Sequence, residues 1–349
     1  MNTTKAFGVF LPVANGGWIV STATPKLDGG WAQNRDAALL AEAQGLDFVM
    51  SMGKWRGFGG VTDHWGASLE SVTMMAAIAA LTKRIKIWAT LHAILHNPVV
   101  AAKMIATLDQ ISNGRAGLNI VAGAYAQEFE QMGAWDETLD HDSRYDLTEE
   151  WTTIIKRLWT ERRVDFAGKY FQIEDCVCEP KPIRRPELIC AGMSGRGFDF
   201  SVANADACFI GGRDLEETRA ASTRARELAA RLGKPIKIYA MCTIIAGASD
   251  AAAEATAKRY RDGLDEGAVL GMLSAYGASV SGDNAIVARA KGAFMTQTVV
   301  GAPATCAEKM EGFIRDCLLD GVMLIFDDYM EGLTLAGSEI LPRLRKALA

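Results

Sequence analysis

Apolar residues along this chain gather in short runs, and between the runs they recur at helical spacing. The runs at residues 6–11, 46–50, 85–91, 116–122, 187–191, 206–210, 236–246 and 322–326 read as strands. The spacing predicts helices over 31–44, 68–81, 98–112, 145–159, 214–232, 250–265 and 303–319, a short one over 197–204, and a last one from about 335. Pro98 fits a first helical turn, and Gly45 fits a C-cap. Eight strand–helix units in order predict an α/β fold, a (β/α)8 TIM barrel. One domain is expected over residues 1–349, with insertions near 160–187 and 267–300. The first insertion holds Phe166, Tyr170, Phe171 and a proline cluster, and reads as a hairpin. The second has no clear period and reads as an excursion over the active face. A doubly wound open sheet is the rival. It needs a phosphate fingerprint after the first strand, and Ala14-Asn15-Gly16-Gly17 does not supply one.

One polar residue breaks the pattern. In the fourth run, Ala116-Gly117-Leu118-Asn119-Ile120-Val121-Ala122, an amide sits among residues that read as buried on both faces. A buried amide costs roughly 1–3 kcal/mol unless it is hydrogen-bonded. A backbone partner next door is the plain explanation. The residues beyond the run argue for more: a small-residue turn, then Glu128 and Glu130, then Asp142-Ser143-Arg144-Tyr145 opening a helix. Amide, carboxylate and guanidinium meet beyond the C-terminal end of one strand, where parallel α/β proteins bind ligands.

Composition narrows the partners. With 49% hydrophobic residues in 349, the chain builds a large core and is not disordered. A net charge of −5 and the lack of a basic run argue against nucleic acid. The seven cysteines form no C-x-x-C pair and sit mostly in apolar runs, which suits a reducing cytoplasm. The N-terminal residues lack the pattern of a signal peptide, and no apolar run is long enough to span a membrane.

In a barrel the site is built from residues that come after the strands. These are Gly53 and Lys54 after the second, Thr90 with His92 and His96 at the third, Asn119 and Glu128 at the fourth, Arg144 and Tyr145 at the next helix start, and Ser194 after the fifth. His92 and His96 lie in a loop before a proline, with no third ligand at fixed spacing, so no metal site is expected. His64 and His141 are isolated and read as solvated or packed. The turn Gly192-Met193-Ser194-Gly195-Arg196-Gly197 matches a nucleophile elbow imperfectly, and nothing nominates a histidine partner for Ser194. It reads better as an anion cradle of hydroxyl, glycine N–H groups and a helix N-terminus; the plain alternative is a turn needed for chain geometry. Arg144 either adds a charge-assisted bond to the same anion or pairs on the surface with Asp142 or Asp146. Trp55 and Phe58 either stack on a flat ring or pack as a lid on the rim.

These residues also carry a resemblance. The segments GVFLPVANGGWIVST, DFVMSMGKWRGFGG, SLESVTMMAAIAALTKRI, ATLDQISNGRAGLNIVAG, EFEQMGAW, SRYD, ICAGMSG and LIFDDYMEG span nearly the full length. Together they resemble the bacterial luciferase-like flavin-dependent monooxygenases, and within them the branch that opens pyrimidine rings. The resemblance implies FMN at the barrel mouth, in contact with Gly53, Lys54, Asn119, Glu128, Arg144, Tyr145 and Ser194. It implies dioxygen held by Thr90 and Asn119, with Lys54 and Glu128 beside the carbonyl and N–H edge of a small heterocyclic substrate. The implied chemistry runs on reduced FMN from a separate NAD(P)H-dependent flavin reductase, with O2 as co-substrate. A flavin peroxide attacks an electrophilic ring carbon, and a C–N bond breaks. A homo-oligomer, dimer or tetramer, is the family expectation.

One departure matters. Where the pyrimidine branch has V-T-G-W-Q-K-P-E, this chain has Val121-Ala122-Gly123-Ala124-Tyr125-Ala126-Gln127-Glu128. A tryptophan of the active-site loop has become Ala124. Truncating a packed indole leaves a void that costs roughly 3–5 kcal/mol. Either another side chain such as Tyr125 fills it, or the substrate is larger than uracil. Leu91-His92-Ala93-Ile94-Leu95-His96 departs too, adding two imidazoles. A riboflavin-degrading member of the family is therefore a rival, since an isoalloxazine contains a uracil-like edge. A non-catalytic flavin-binding protein and a deazaflavin-dependent dehydrogenase are further alternatives.

Overall fold

In the computed structural model, which describes residues 5–276 and 285–349, eleven strands are formed. They are β1 (Ala6–Phe10), β2 (Phe48–Met50), β3 (Lys86–His92), β4 (Ala116–Val121), β5 (Val164–Ala167), β6 (Gln172–Cys176), β7 (Glu187–Cys190), β8 (Ala207–Ile210), β9 (Lys237–Ala246), β10 (Gln297–Gly301) and β11 (Gly321–Phe326). Eight of them, all parallel, close a ring in the order β1-β2-β3-β4-β7-β8-β9-β11, with β11 returning to β1. This is the barrel that the strand–helix alternation predicts. Its strands are mostly apolar because helices cover their outer faces.

Local chemistry sets the helix starts. Asn97 caps the helix Pro98–Ser112 by accepting from the N–H groups of Val99 and Val100, and Pro98 gives up an N–H that the helix could not have paired. Glu70 does the same for Ser71–Leu81, so that helix begins three residues later than the spacing predicts. Asp140 caps His141–Thr160. That helix starts four residues before the predicted 145, because the cap, not the first apolar residue, fixes its beginning. The last helical stretch begins at Tyr329 rather than near 335, with Asp328 as its cap.

The first insertion is a hairpin of β5 against β6, antiparallel as read from the sequence. Of the second, residues 277–284 lie outside the described residues. The rest forms helices at Glu266–Ala275 and Ala285–Ala290 and then β10, a strand the sequence reading missed. β10 pairs with Cys242–Ala246 of β9, whereas β8 pairs with its lower half, Lys237–Ala240. The sheet therefore forks along β9. Arg289 bridges the fork, donating to the Gly212 carbonyl at 2.8 Å and to Gln297 Oε1 at 3.0 Å. A cavity of about 50 Å³ lies there, lined by none of the expected site residues.

The barrel interior is filled from below. Side chains alternate along a strand, so Trp88, Thr90 and His92 share the inner face of β3. Trp88 stacks on Phe48 with centroids 3.9 Å apart, and Phe209 and Tyr239 complete an aromatic layer. Glycines on three strands, β1, β4 and β11, make room for it. A Cβ at Gly8 would lie 2.2 Å from Phe48, one at Gly117 2.3 Å from Trp88, and one at Gly321 2.5 Å from Tyr239. Above this floor the inner face turns polar.

Candidate active site

Thr90 and Asn119 are directly opposite one another across β3 and β4. Asn119 Nδ2 donates to Thr90 Oγ1 at 3.1 Å, and Thr90 Oγ1 donates to the Ser51 carbonyl at 2.5 Å. Ser71 Oγ accepts from Thr90 N at 2.8 Å and lies 2.6 Å from Ser51 Oγ. This chain of contacts is buried; Ser51 stands among the residues the sequence places after the second strand, whereas Ser71 was not singled out. Asn119 Oδ1 is buried with no hydrogen-bond partner among the described residues. The amide thus has one satisfied end and one aimed at something else, which a backbone partner next door does not explain.

Lys54 and Glu128 come together from the loops after β2 and β4. Nζ lies 3.2 Å from Oε2, with both side chains almost wholly buried. Glu128 Oε1 also accepts from the Trp55 N–H at 2.5 Å. The short helix Ala126–Glu130, absent from the sequence reading, delivers Glu128 to this point. Three rings surround the ammonium: Phe58 and Tyr125 at 4.6 Å and Trp65 at 5.9 Å from Nζ. Their faces attract the cation, and they also keep water away from it. Burial lowers the Lys54 pKa, and Glu128 opposes that shift. Of the two aromatics expected to stack or cover, Phe58 is buried in this box while Trp55 stays 38% exposed. Tyr125 packs against Phe58 with centroids 5.7 Å apart. Ala124 is exposed, so the lost indole leaves an open rim and not a void.

A second cluster forms at the start of the helix Gly195–Asn204. Ser194 stands at its N-cap, yet its hydroxyl caps no backbone group. The hydroxyl instead meets His141 Nε2 at 2.8 Å, and His141 Nδ1 lies 2.7 Å from Asp142 Oδ1. The histidine that reads as isolated in the sequence therefore has a side-chain partner in Ser194, while staying 48% exposed. The usable signal was the His141–Tyr145 spacing of four, which puts both rings on one face of the helix, centroids 5.2 Å apart. Burial pushes the Tyr145 phenol up to about 12, against the pull of its hydrogen bond with Ser194. Gly197 permits that approach, since a Cβ there would lie 2.4 Å from the phenol oxygen and 2.7 Å from Ser194 Oγ.

Arg144 points elsewhere. Its Nε and Nη1 donate to the carbonyls of Gly123 and Leu139, and Trp135 packs 4.9 Å from its guanidinium carbon. Neither expected surface pair forms: it is Arg196 that pairs with Asp146 and Glu149. Arg144 holds the loop after β4 in place. His92 is also not in a loop. It ends β3 and is buried, while His96 Nδ1 meets the His92 carbonyl at 2.9 Å. Gly53 lies beside both His92 and Thr90. Among the described residues no three His, Cys, Asp or Glu side chains are grouped to hold a metal, and no helix is long and apolar enough to cross a membrane.

The chain belongs to the luciferase-like monooxygenases, whose sequence model matches residues 5–320. It is an enzyme, a flavin-dependent monooxygenase by class. More particularly, it is 38% identical to the pyrimidine monooxygenase RutA of Methylobacterium radiotolerans over 97% of this chain and 91% of that one. The RutA of Variovorax paradoxus is 35% identical over 97% of this chain and 94% of its own. Among solved structures, riboflavin lyase (RcaE), with modified FMN and its substrate riboflavin, superposes with a TM-score of 0.87 at 21% identity, covering 99% of this chain and 92% of that one. Long-chain alkane monooxygenase (LadA) gives 0.85 at 19% identity, with coverage of 99% and 92%. These two likenesses show the fold.

Proposed function

We propose that this enzyme uses reduced FMN and O2 to cleave a C–N bond of a nitrogen heterocycle with a uracil-like edge, drawing its reduced flavin from a separate NAD(P)H-dependent reductase. The observation that carries the reading is the unpartnered Asn119 Oδ1, buried beside Thr90 above the aromatic floor. A buried acceptor of this kind is costly unless a ligand supplies its donor. A reduced flavin ring offers N–H groups, and the Ser194–His141–Tyr145 cluster offers hydroxyl and imidazole groups suited to a phosphate. The residues present fit FMN.

When bound, reduced FMN supplies the activation of dioxygen. The remaining roles fall to the chain. Gly53 and Lys54 line one edge of the cofactor site, and Ser194 and Tyr145 hold its phosphate, with Arg144 fixing the loop between. Thr90 and Asn119 would be the polar groups available to dioxygen. The Lys54 ammonium and the Glu128 carboxylate take the carbonyl and N–H of the substrate, inside the aromatic box that excludes water. Similarity to the RutA enzymes supports a pyrimidine.

A second reading has its own observation. Ala124 leaves the rim open, which favours a fused ring such as riboflavin over uracil. Anaerobically reduced FMN, then oxygen, with uracil, thymine, barbiturate and riboflavin as the panel, decides between them. Product that requires both flavin and oxygen supports the oxygenase. Turnover of riboflavin without uracil selects the larger ring, and no oxygen-dependent product from any of the four refutes the proposal.

A further inference from the structure

We infer that His92 is a further cofactor contact, an imidazole at the rim that hydrogen-bonds the ring system of the bound flavin. The inference rests on the proposed flavin site and adds a residue to which that proposal gives no role. His92 is the last residue of β3 and, like Trp88 and Thr90, faces inward. It is 5% exposed, and neither ring nitrogen has a hydrogen-bond partner among the described residues. A leucine or phenylalanine would fill the same space, and the ring nitrogens keep a little open surface instead of packing against a protein partner, so packing alone does not account for an imidazole here.

The surroundings give the ring a fixed aim. Phe129 meets it edge to face, centroids 5.1 Å apart at 70°. On the other side lies Gly53: a Cβ there would be 2.9 Å from His92 Cε1, 3.2 Å from Nδ1 and 3.5 Å from the Thr90 methyl. The missing side chain of Gly53 is the space that the imidazole occupies. His92, Gly53 and Thr90 therefore border one small region, and the unpartnered Asn119 Oδ1 lies directly across from Thr90. Two unpaired polar groups on one inner surface call for one ligand whose edge serves both. His96 is not that partner, since it bonds the His92 carbonyl and not its ring. Burial, with the charges of His96 and Lys54, pushes the His92 pKa to about 3. At neutral pH the ring is uncharged, with one N–H to donate and one lone pair to accept. The alternating carbonyl and N–H edge of a flavin matches that pair.

The test is titration of FMN and of riboflavin into wild type, His92→Phe and His92→Gln, read by fluorescence quenching and by the shape of the bound flavin absorption bands. Phe keeps the volume and removes both nitrogens; Gln restores a donor and an acceptor. We expect His92→Phe to bind both flavins about tenfold more weakly, with altered bands, and Gln to recover part of the loss. Thermal unfolding of His92→Phe without flavin should match or exceed wild type, because the substitution removes unpaired polar atoms. Equal affinity and equal spectra for Phe and wild type would overturn the role of His92 while leaving the cofactor reading intact. Wild type that binds neither flavin overturns both.

Discussion

Glu128→Gln tests the buried ion pair most directly. Lys54 and Glu128 are 6% and 4% exposed at their side chains and 3.2 Å apart. Gln keeps the shape and can still accept from the Trp55 N–H, so the change removes charge and little else. Breaking a buried pair by removing one partner costs about 3–5 kcal/mol, because the other charge is left without compensation. With about 2.1 cal/mol/K of unfolding entropy per residue, the 349-residue chain should lose roughly 4–7 °C in Tm. Lys54→Met should cost a similar amount, leaving Glu128 with only the Trp55 N–H. The double variant should not cost the sum. Its apolar side chain sits among Phe58, Tyr125 and Trp65, and replacing a whole buried pair is often near neutral. The assay is thermal unfolding of the two single variants and the double variant at pH 7 without flavin. Additive losses, or a Glu128→Gln shift below about 1 °C, would refute the coupling, since only an exposed, screened pair costs so little.

The other predictions are independent of that pair. Asn119→Ala should lower oxygen-dependent turnover about a hundredfold and weaken FMN binding about tenfold, because its Oδ1 is the acceptor offered to the flavin N–H; turnover and affinity both close to wild type would contradict the role given to its amide. Ser194→Ala should weaken FMN binding about tenfold and leave riboflavin binding alone, because only FMN carries the phosphate; equal losses for both would move Ser194 away from the phosphate. Acid should destabilise the fold through His64, whose buried ring nitrogens have no partners among the described residues and whose pKa burial lowers to about 4. A lowered folded-state pKa means the unfolded chain binds the proton more tightly, so this stability is full above about pH 6.5 and is lost as pH falls towards 4. That amounts to roughly 3 kcal/mol. In His64→Phe, unfolding followed across that window should show a flatter acid limb, and an unchanged limb would exonerate His64.

The barrel was legible because its signal is long and redundant: eight apolar runs alternate with helical spacing, and each confirms the next. Asn119 was legible for the opposite reason, as a polar residue where the period demands an apolar one. What the sequence hid depends on contacts far apart in the chain. The His141–Tyr145 spacing announces a shared helix face, but not that Ser194 lies 2.8 Å from the imidazole, because 53 residues separate them. The carbonyls of Gly123 and Leu139 that Arg144 reaches were hidden too, because the one lies 21 residues away and both depend on how the loop folds back. β10 was missed because it borrows its pairing from the upper half of β9, and a five-residue edge strand has too short a period to read.

The interlock of Gly8, Gly117 and Gly321 with the rings of Phe48, Trp88 and Tyr239 sets the depth of the chamber once and for all. None of those glycines can grow a side chain without displacing an aromatic, and no aromatic can shrink without leaving the glycines facing empty space. Adaptation to a new substrate is thereby confined to the upper storey, where an exposed Ala124 and its loop neighbours can change at small cost while the basement stays sealed.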